Sequence, residues 1–156
     1  MSVPSRPARV VVAGLGNIFL GDDAFGVEVV RRLTSRRLPD DVRVIDVGLR
    51  SLHLGYALAE TSCETLILID CVSRGNAPGT LYLLEADELN DDEPVLEGHA
   101  VRPEHVQGIA RRLGTQCGRI LIVGCEPARF EPTCELSVPV AAAADEAVRV
   151  VCELCA

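Results

Sequence analysis

The chain has 156 residues, of which 48% are hydrophobic and 24% charged, and its net charge is −8. These values fit one folded domain with a single core and exclude a disordered chain. The excess of acid argues against a nucleic-acid partner, which requires a basic stripe. No apolar run is as long as a membrane span, and the first residues lack a secretory signal. We therefore expect a cytoplasmic protein that contacts no membrane.

Seven cysteines are an odd number for a chain without an export signal, so we expect reduced thiols, several of them buried as small apolar residues. The CxxC pair Cys152–Cys155 lies one residue from the end. A zinc site needs two further ligands nearby, and a thioredoxin-like pair begins a helix after a strand. Neither context applies, and we interpret this pair as structural or incidental.

Five short apolar runs predict strands, and helical patterns lie between them. The runs are continuous, as expected of strands buried on both faces. The predicted strands are Arg9–Ala13, Val42–Val47, Thr65–Ile69, Gly79–Leu84 and Arg119–Val123. The predicted helices are Ala24–Arg37, Leu52–Glu60, Glu104–Leu113 and a last one from about Pro139, with Ser137 as its N-cap and an apolar face of Val140, Ala144, Ala147, Val151 and Leu154.

This alternation predicts one α/β domain over residues 1–156, with residues 1–8 flexible. The expected architecture is a three-layer α/β/α sandwich of the phosphorylase/hydrolase-like type, with a mixed five-stranded sheet. The connection CVSRGNAPG between the third and fourth strands is too short for a helical crossover. The fourth strand should therefore run antiparallel to the third.

The segment GLGNIFLGDDAFG, residues 14–26, follows a strand and begins a helix, where dinucleotide-binding proteins hold a pyrophosphate. Phe19 replaces the third glycine of that fingerprint, and Asp22 and Asp23 would repel a phosphate. Asp22 can act as a helix N-cap, but capping requires only one Asp. The second carboxylate favours a cation ligand or proton chemistry for Asp23, with pure capping as the alternative.

Asp70 ends the apolar strand in TLILIDCVSRGNAPGT, residues 65–80. Ligand sites of open α/β sheets collect at the carboxyl edge, so adjacent strands would bring Asp70 and Asp23 within reach of one ion. The alternative is a strand-end Asp that accepts hydrogen bonds from loop N–H groups. Asp46, at the end of the second strand, and Asn17 are weaker candidates for the same cleft, and turn formation explains them equally well.

The long acidic connection of residues 85–102 carries His99. Long connections are usually functional or mobile, although a solvated loop is the simpler interpretation. Pattern alone does not distinguish His99 from His53 and His105, which we interpret as unremarkable. The strand-end thiols Cys71 and Cys125 would need a histidine partner to act as nucleophiles, and we reject that role for them.

Five segments, in this order, resemble the hydrogenase maturation endopeptidases over about residues 9–151. They are GLGNIFLGDDAFGVEVV, VIDVGLRSLHLGYAL, LILIDCVSRGNAPGTLYLLE, GHAVRPEHVQGIARRLG and RILIVGCEPARFEP. The resemblance implies a mixed five-stranded sheet with one antiparallel strand. It also implies removal of a C-terminal extension from the precursor of a nickel-iron hydrogenase large subunit after nickel insertion.

The metal-contacting positions of that family map onto Asp23, Asp70 and His99, with Glu in some members where this chain has Asp23. The resemblance implies that the nickel belongs to the substrate and is held between precursor and protease. A rival assignment makes Asp23 and Asp70 a catalytic acid–base pair, with nickel used only for recognition. Two other classes stay open: a non-catalytic, nickel-dependent chaperone of the same fold, and a dinucleotide-binding oxidoreductase, which the paired acids disfavour.

Overall fold

The computed structural model describes residues 8–48, 62–85 and 117–156. In these ranges the strands are β1 (Val10–Leu15), β2 (Val42–Gly48), β3 (Cys63–Cys71), β4 (Leu81–Glu85) and β5 (Cys117–Cys125). The helices are α1 (Phe25–Leu33) and α2 (Val138–Cys155), and a 3-10 turn (Gly21–Ala24) precedes α1. The predicted helices Leu52–Glu60 and Glu104–Leu113, the flexible start over residues 1–7 and all three histidines lie outside the described residues.

The five strands form one sheet in the order β2-β1-β3-β5-β4. All neighbours are parallel except β4, which runs antiparallel to β5. The predicted mixed sheet with one antiparallel strand is therefore confirmed. The structure adds that β4 pairs with β5 instead of β3. The nine-residue connection easily crosses the end of β5, because two strand spacings amount to about 10 Å.

Both faces of the sheet are buried, which explains why the strand sequences are continuously apolar. One face packs against α1 and α2, and the other forms a second apolar cluster. Burial on both sides is what the predicted α/β/α sandwich requires. Along β1 and β3, the helix-covered face contains Val10, Val12, Ile67 and Ile69. The opposite face contains Val11, Ala13, Leu66 and Leu68.

The helices agree with the predicted apolar faces, with differences at their ends. In α1 the helical pattern stops at Leu33 instead of Arg37, because the chain tightens into i→i−3 hydrogen bonds at Ser35 and Arg36. In α2 the predicted face is buried except for Leu154, which is half-buried, and Cys155 is buried instead. Neither described helix is long and apolar enough to span a membrane.

All seven cysteines are free thiols, as predicted.

α1 lies close against the sheet at Gly26. A Cβ there would lie 2.1 Å from the carbonyl oxygen of Ile69 and 2.4 Å from that of Leu15. Both are backbone atoms of β-strands, so neither can move aside easily. We expect Gly26→Ala to lower the free energy of unfolding by about 3 kcal/mol or more, measured by urea denaturation.

Gly75→Ala is the matched control for this prediction. Gly75 has open space around its Cβ position but a φ of 80°, so its substitution should cost only about 1–2 kcal/mol of backbone strain. Equal losses in the two variants would contradict a steric limit at Gly26.

Candidate functional site

The turn after β1 places Asp23 at the carboxyl edge of the sheet. Gly16 has a φ of 133°, and a Cβ there would lie 1.8 Å from the carbonyl oxygen of Asp23, so only glycine fits. The backbone N–H of Asn17 donates to Asp23 Oδ2 at 3.1 Å, and Asn17 Oδ1 accepts a hydrogen bond from the N–H of Phe19. Asn17 thus shapes the turn, and the Asp23 side chain is held in a buried position.

Asp70 occupies the same edge at the end of β3, the strand next to β1. Its Oδ1 accepts a hydrogen bond from the N–H of Cys71 at 2.7 Å, and the residue is only 5% exposed. Burial, and then repulsion by the charge of Asp23, raise the pKa of Asp70 well above its ordinary value. The structure therefore brings the two predicted acids together as electrostatic neighbours.

Asp22, adjacent to Asp23 in sequence, has a different task. It is fully buried and accepts four hydrogen bonds: from the N–H groups of Ala128, Arg129 and Ser137, and from the Ser137 hydroxyl, at 2.7–3.0 Å. The suggestion that Asp22 caps the helix following it is wrong, because the N-cap of α1 is Ala24 and no side chain caps that end. Asp22 instead links the 3-10 turn, which also contains Asp23, to the segment that precedes α2.

Ser137 is the N-cap of α2 by position, as predicted, but its hydroxyl donates to Asp22 instead of capping a helical N–H. The Asp22 carboxylate therefore lies beside the N-terminus of α2, where the helix dipole favours a negative charge. Two backbone hydrogen bonds complete the join, from Gly21 N–H to the Thr133 carbonyl and from Thr133 N–H to the Phe19 carbonyl.

Three further candidate residues near this edge are Asp46, Cys71 and Cys125. Asp46 is exposed and lies in register with Gly14 at the end of β2, so its proposed place in the cleft stays a prediction. The Cys71 thiol donates to the carbonyl oxygen of Asp22. Burial raises the pKa of Cys71, and raises the pKa of Cys125 to about 12. Thiols that stay protonated are poor nucleophiles, in agreement with the rejected cysteine mechanism.

The predicted ligand set is only partly contained in the described residues. Asp23 and Asp70 offer carboxylate oxygens, which suit a divalent cation in a mixed oxygen and nitrogen site. The third predicted ligand, His99, lies outside the described residues. Within residues 8–48, 62–85 and 117–156, no cluster of three or more His, Cys, Asp or Glu side chains has the geometry of a metal site.

Sequence reasoning missed one buried acid, Glu126. Its carboxylate accepts hydrogen bonds from Arg74 N–H at 2.8 Å, Gly75 N–H at 3.2 Å, the Tyr82 hydroxyl at 2.7 Å and the Ser73 hydroxyl at 3.5 Å. Glu126 directly follows β5, so the strand-end argument used for the other acids would have found it.

We expect Asp22→Asn to destabilise the protein. In the wild type, both carboxylate oxygens of Asp22 accept from backbone N–H groups. In either orientation of the Asn side chain, its NH₂ group replaces one of these acceptors, so at least one buried N–H group loses its hydrogen bond. The expected loss is about 2 kcal/mol or more in the free energy of unfolding, measured by urea denaturation. A stability equal to that of the wild type would show that the four hydrogen bonds are dispensable.

Asp70→Asn should have the opposite effect. Because the pKa of Asp70 is higher in the folded than in the unfolded protein, its ionisation opposes folding. This penalty is absent below the unfolded pKa and grows as pH rises above it. The Asn amide can still accept from Cys71 N–H, so we expect the variant to melt at least about 2 °C higher than the wild type at pH 7.

The melting temperatures should converge as pH falls toward 4, and scanning calorimetry across this range measures the difference. The control is Asp145→Asn on α2, where an exposed carboxylate pairs with Arg32 and a small effect without this pH dependence is expected. A variant at Asp70 that melts below the wild type at pH 7 would refute the predicted repulsion.

Comparison with known proteins gives one answer. The family model for hydrogenase maturation proteases matches residues 27–154. The hydrogenase 2 maturation protease of Escherichia coli K12 is 34% identical over 148 residues, which cover 90% of this chain and 86% of that protein. The hydrogenase expression/formation protein HupD of Rhodobacter capsulatus is 35% identical over 133 residues; the match covers 81% of this chain but only 60% of HupD.

Solved structures agree with the sequence relatives. The crystal structure of hydrogenase 2 maturation peptidase from a Thaumarchaeota archaeon is 35% identical, with a TM-score of 0.70 over 94% of this chain and 97% of that one. The hydrogenase maturating endopeptidase HybD of E. coli is 34% identical, with a TM-score of 0.71 over 92% and 89% of the two chains. Fold, sequence and family model thus coincide, and the chain belongs to the hydrogenase maturation protease family.

Proposed function

We propose that this protein is an endopeptidase that removes the C-terminal extension of a nickel-loaded [NiFe]-hydrogenase large-subunit precursor in the cytoplasm. The observation that carries the proposal is the pair of buried, mutually repelling carboxylates of Asp23 and Asp70, in a chain of the hydrogenase maturation protease family. The nickel ion is part of the substrate, since it arrives with the precursor.

The electrostatics of the pair explain how such an enzyme would distinguish a loaded precursor from an empty one. Two neighbouring carboxylates with little access to water repel each other, and a divalent cation between them converts that repulsion into attraction. Burial and the charge of Asp23 raise the pKa of Asp70, so the ionised form of Asp70 is disfavoured when no cation is present. A cation favours the ionised form of its carboxylate ligands, whereas a precursor without nickel gains none of this attraction.

In this proposal Asp23 and Asp70 supply oxygen ligands and His99 supplies a nitrogen ligand to the nickel of the precursor. Three protein ligands leave coordination positions for the precursor and for a water molecule. The ion would then act as a Lewis acid on the scissile carbonyl or on the attacking water. The turn at Gly16 and the end of β3 determine the positions of Asp23 and Asp70.

The alternative assignment, an acid–base pair of the aspartic-protease type, uses the same two residues differently. Asp70 would deliver or accept the proton, and nickel would serve only for recognition. The two assignments differ in binding. If Asp70 is a nickel ligand, Asp70→Asn weakens the affinity for nickel-loaded precursor as well as kcat. If Asp70 acts only as acid or base, the affinity is retained and kcat alone is lost.

The decisive measurement incubates the purified protein with nickel-loaded and with nickel-free precursor and follows the mass of the precursor. We expect a mass loss equal to the C-terminal extension in the loaded sample only. Asp23→Asn and Asp70→Asn should each lower the rate by about 100-fold or more while the protein stays folded. The exposed Asp145→Asn variant on α2 should cleave like the wild type.

Two outcomes would overturn the proposal. Tight binding of the loaded precursor without release of the tail would identify a nickel-dependent chaperone instead of a protease. Equal cleavage of both precursors would remove nickel from the mechanism.

A further inference from the structure

Glu126 contacts both ends of the connection between β3 and β4, residues 72–80. The Glu126 carboxylate accepts hydrogen bonds from Ser73, Arg74 and Gly75 near the start of this connection. The backbone of Glu126 binds its other end, because its carbonyl accepts from Gly79 N–H and its N–H donates to the Thr80 carbonyl, both at 2.9 Å. Glu126 therefore joins both ends of the connection to the end of β5.

Backbone N–H groups surround the Glu126 carboxylate as they would surround a bound anion. Gly75, with φ 80°, lets two successive backbone N–H groups point at the same carboxylate, as in the backbone nests that bind anions. The Tyr82 hydroxyl donates to Glu126 Oε2, and Asn76 Nδ2 donates to that hydroxyl at 3.0 Å. Glu126 is only 4% exposed, so releasing the connection would leave a buried charge without its donors.

The same backbone determines the position of Asp70. The Asp70 carboxylate is oriented by the N–H of Cys71, and the next residue, Val72, donates to the carbonyl oxygen of Cys125 at 3.0 Å. Cys125 immediately precedes Glu126. The peptide that orients Asp70 is thus fixed by β5 on one side and by the Glu126 carboxylate on the following residues.

We propose that Glu126 is a positioning residue for the reaction: it holds the 72–80 connection and, through Cys71, keeps the Asp70 carboxylate in its working orientation. Glu126 itself contacts neither the nickel nor the scissile bond. This inference rests on the proposed function for the rate it predicts, but the hold on the connection exists independently of it.

The test compares Glu126→Gln with the wild type, using nickel-loaded precursor and initial rates from intact-mass measurements. Gln is nearly the same size as Glu, but its NH₂ group replaces one of the two oxygens that accept hydrogen bonds in the wild type. The donors facing that group lose their acceptor. We expect kcat per folded molecule to fall about tenfold to 100-fold, the range expected when a reacting group is misplaced by about 1 Å, with KM changed less than twofold. Circular dichroism of the same samples gives the folded fraction.

The matched control is Glu146→Gln on α2, where a half-exposed carboxylate pairs with Arg149. Its kcat and KM should equal those of the wild type. A purely structural role for Glu126 would reduce the folded fraction and leave kcat per folded molecule unchanged, and that outcome would overturn the inference.

Tyr82→Phe decides the question if Glu126→Gln fails to fold. This variant removes one of the four donors and keeps the buried carboxylate, so kcat should fall about threefold, in line with the loss of one hydrogen bond. An unchanged kcat in a folded Tyr82→Phe protein would overturn the inference.

Hydrogen exchange separates this inference from the proposed function. In Glu126→Gln, or in Tyr82→Phe, the amides of residues 71–75 should exchange at least about tenfold faster than in the wild type, while those of β1 stay protected. If the wild type does not cleave the precursor, the proposed function is wrong. Hydrogen exchange then still tests whether Glu126 holds the 72–80 connection in place. Unchanged exchange at residues 71–75 would overturn it.

Discussion

The electrostatic repulsion between two buried acids, Asp23 and Asp70, at the carboxyl edge of the sheet is the constraint on which the rest of this structure depends. Asp70 lies at the end of β3 and Asp23 in the turn that follows the neighbouring parallel strand β1, and burial removes the water that would otherwise screen them. Folding must overcome this repulsion, and the buried apolar residues on both faces of the sheet supply the opposing free energy. In the proposed function, the nickel ion of the precursor relieves this repulsion.

The buried acids at this edge differ in their hydrogen-bond donors more than in their burial. Asp22 and Glu126 each accept four hydrogen bonds, so each is a satisfied charge that ties distant segments together. Among the described residues, Asp70 accepts one hydrogen bond, from the adjacent residue, and is repelled by Asp23. The acids with four donors hold distant segments together, and Asp70, with its raised pKa, is the acid to which we assign the proposed chemistry. Stability and reactivity are therefore assigned to different carboxylates of one cluster.

Much of the fold could be predicted because its signals are local. Continuous apolar runs located all five strands, and the shortness of the third connection gave the orientation of β4. The partner of β4 was not predictable in this way, since the insertion of β5 between β3 and β4 depends on pairing between distant segments. The helix predicted to end at Arg37 also stopped early, because hydrophobic periodicity does not report where the backbone tightens.

For the site, the sequence by itself determined that acids follow the first and third strands and, through its family resemblance, that these acids belong together. Only the tertiary structure decided what each acid does. Asp22 and Asp23 are adjacent and chemically identical, yet Asp22 binds partners 106 to 115 residues away, while Asp23 repels Asp70 electrostatically. Glu126 likewise finds its donors 44 to 53 residues earlier in the chain. The reason is physical: local patterns specify strands and turns, whereas the donors that satisfy a buried charge are set by which segments the fold brings into contact.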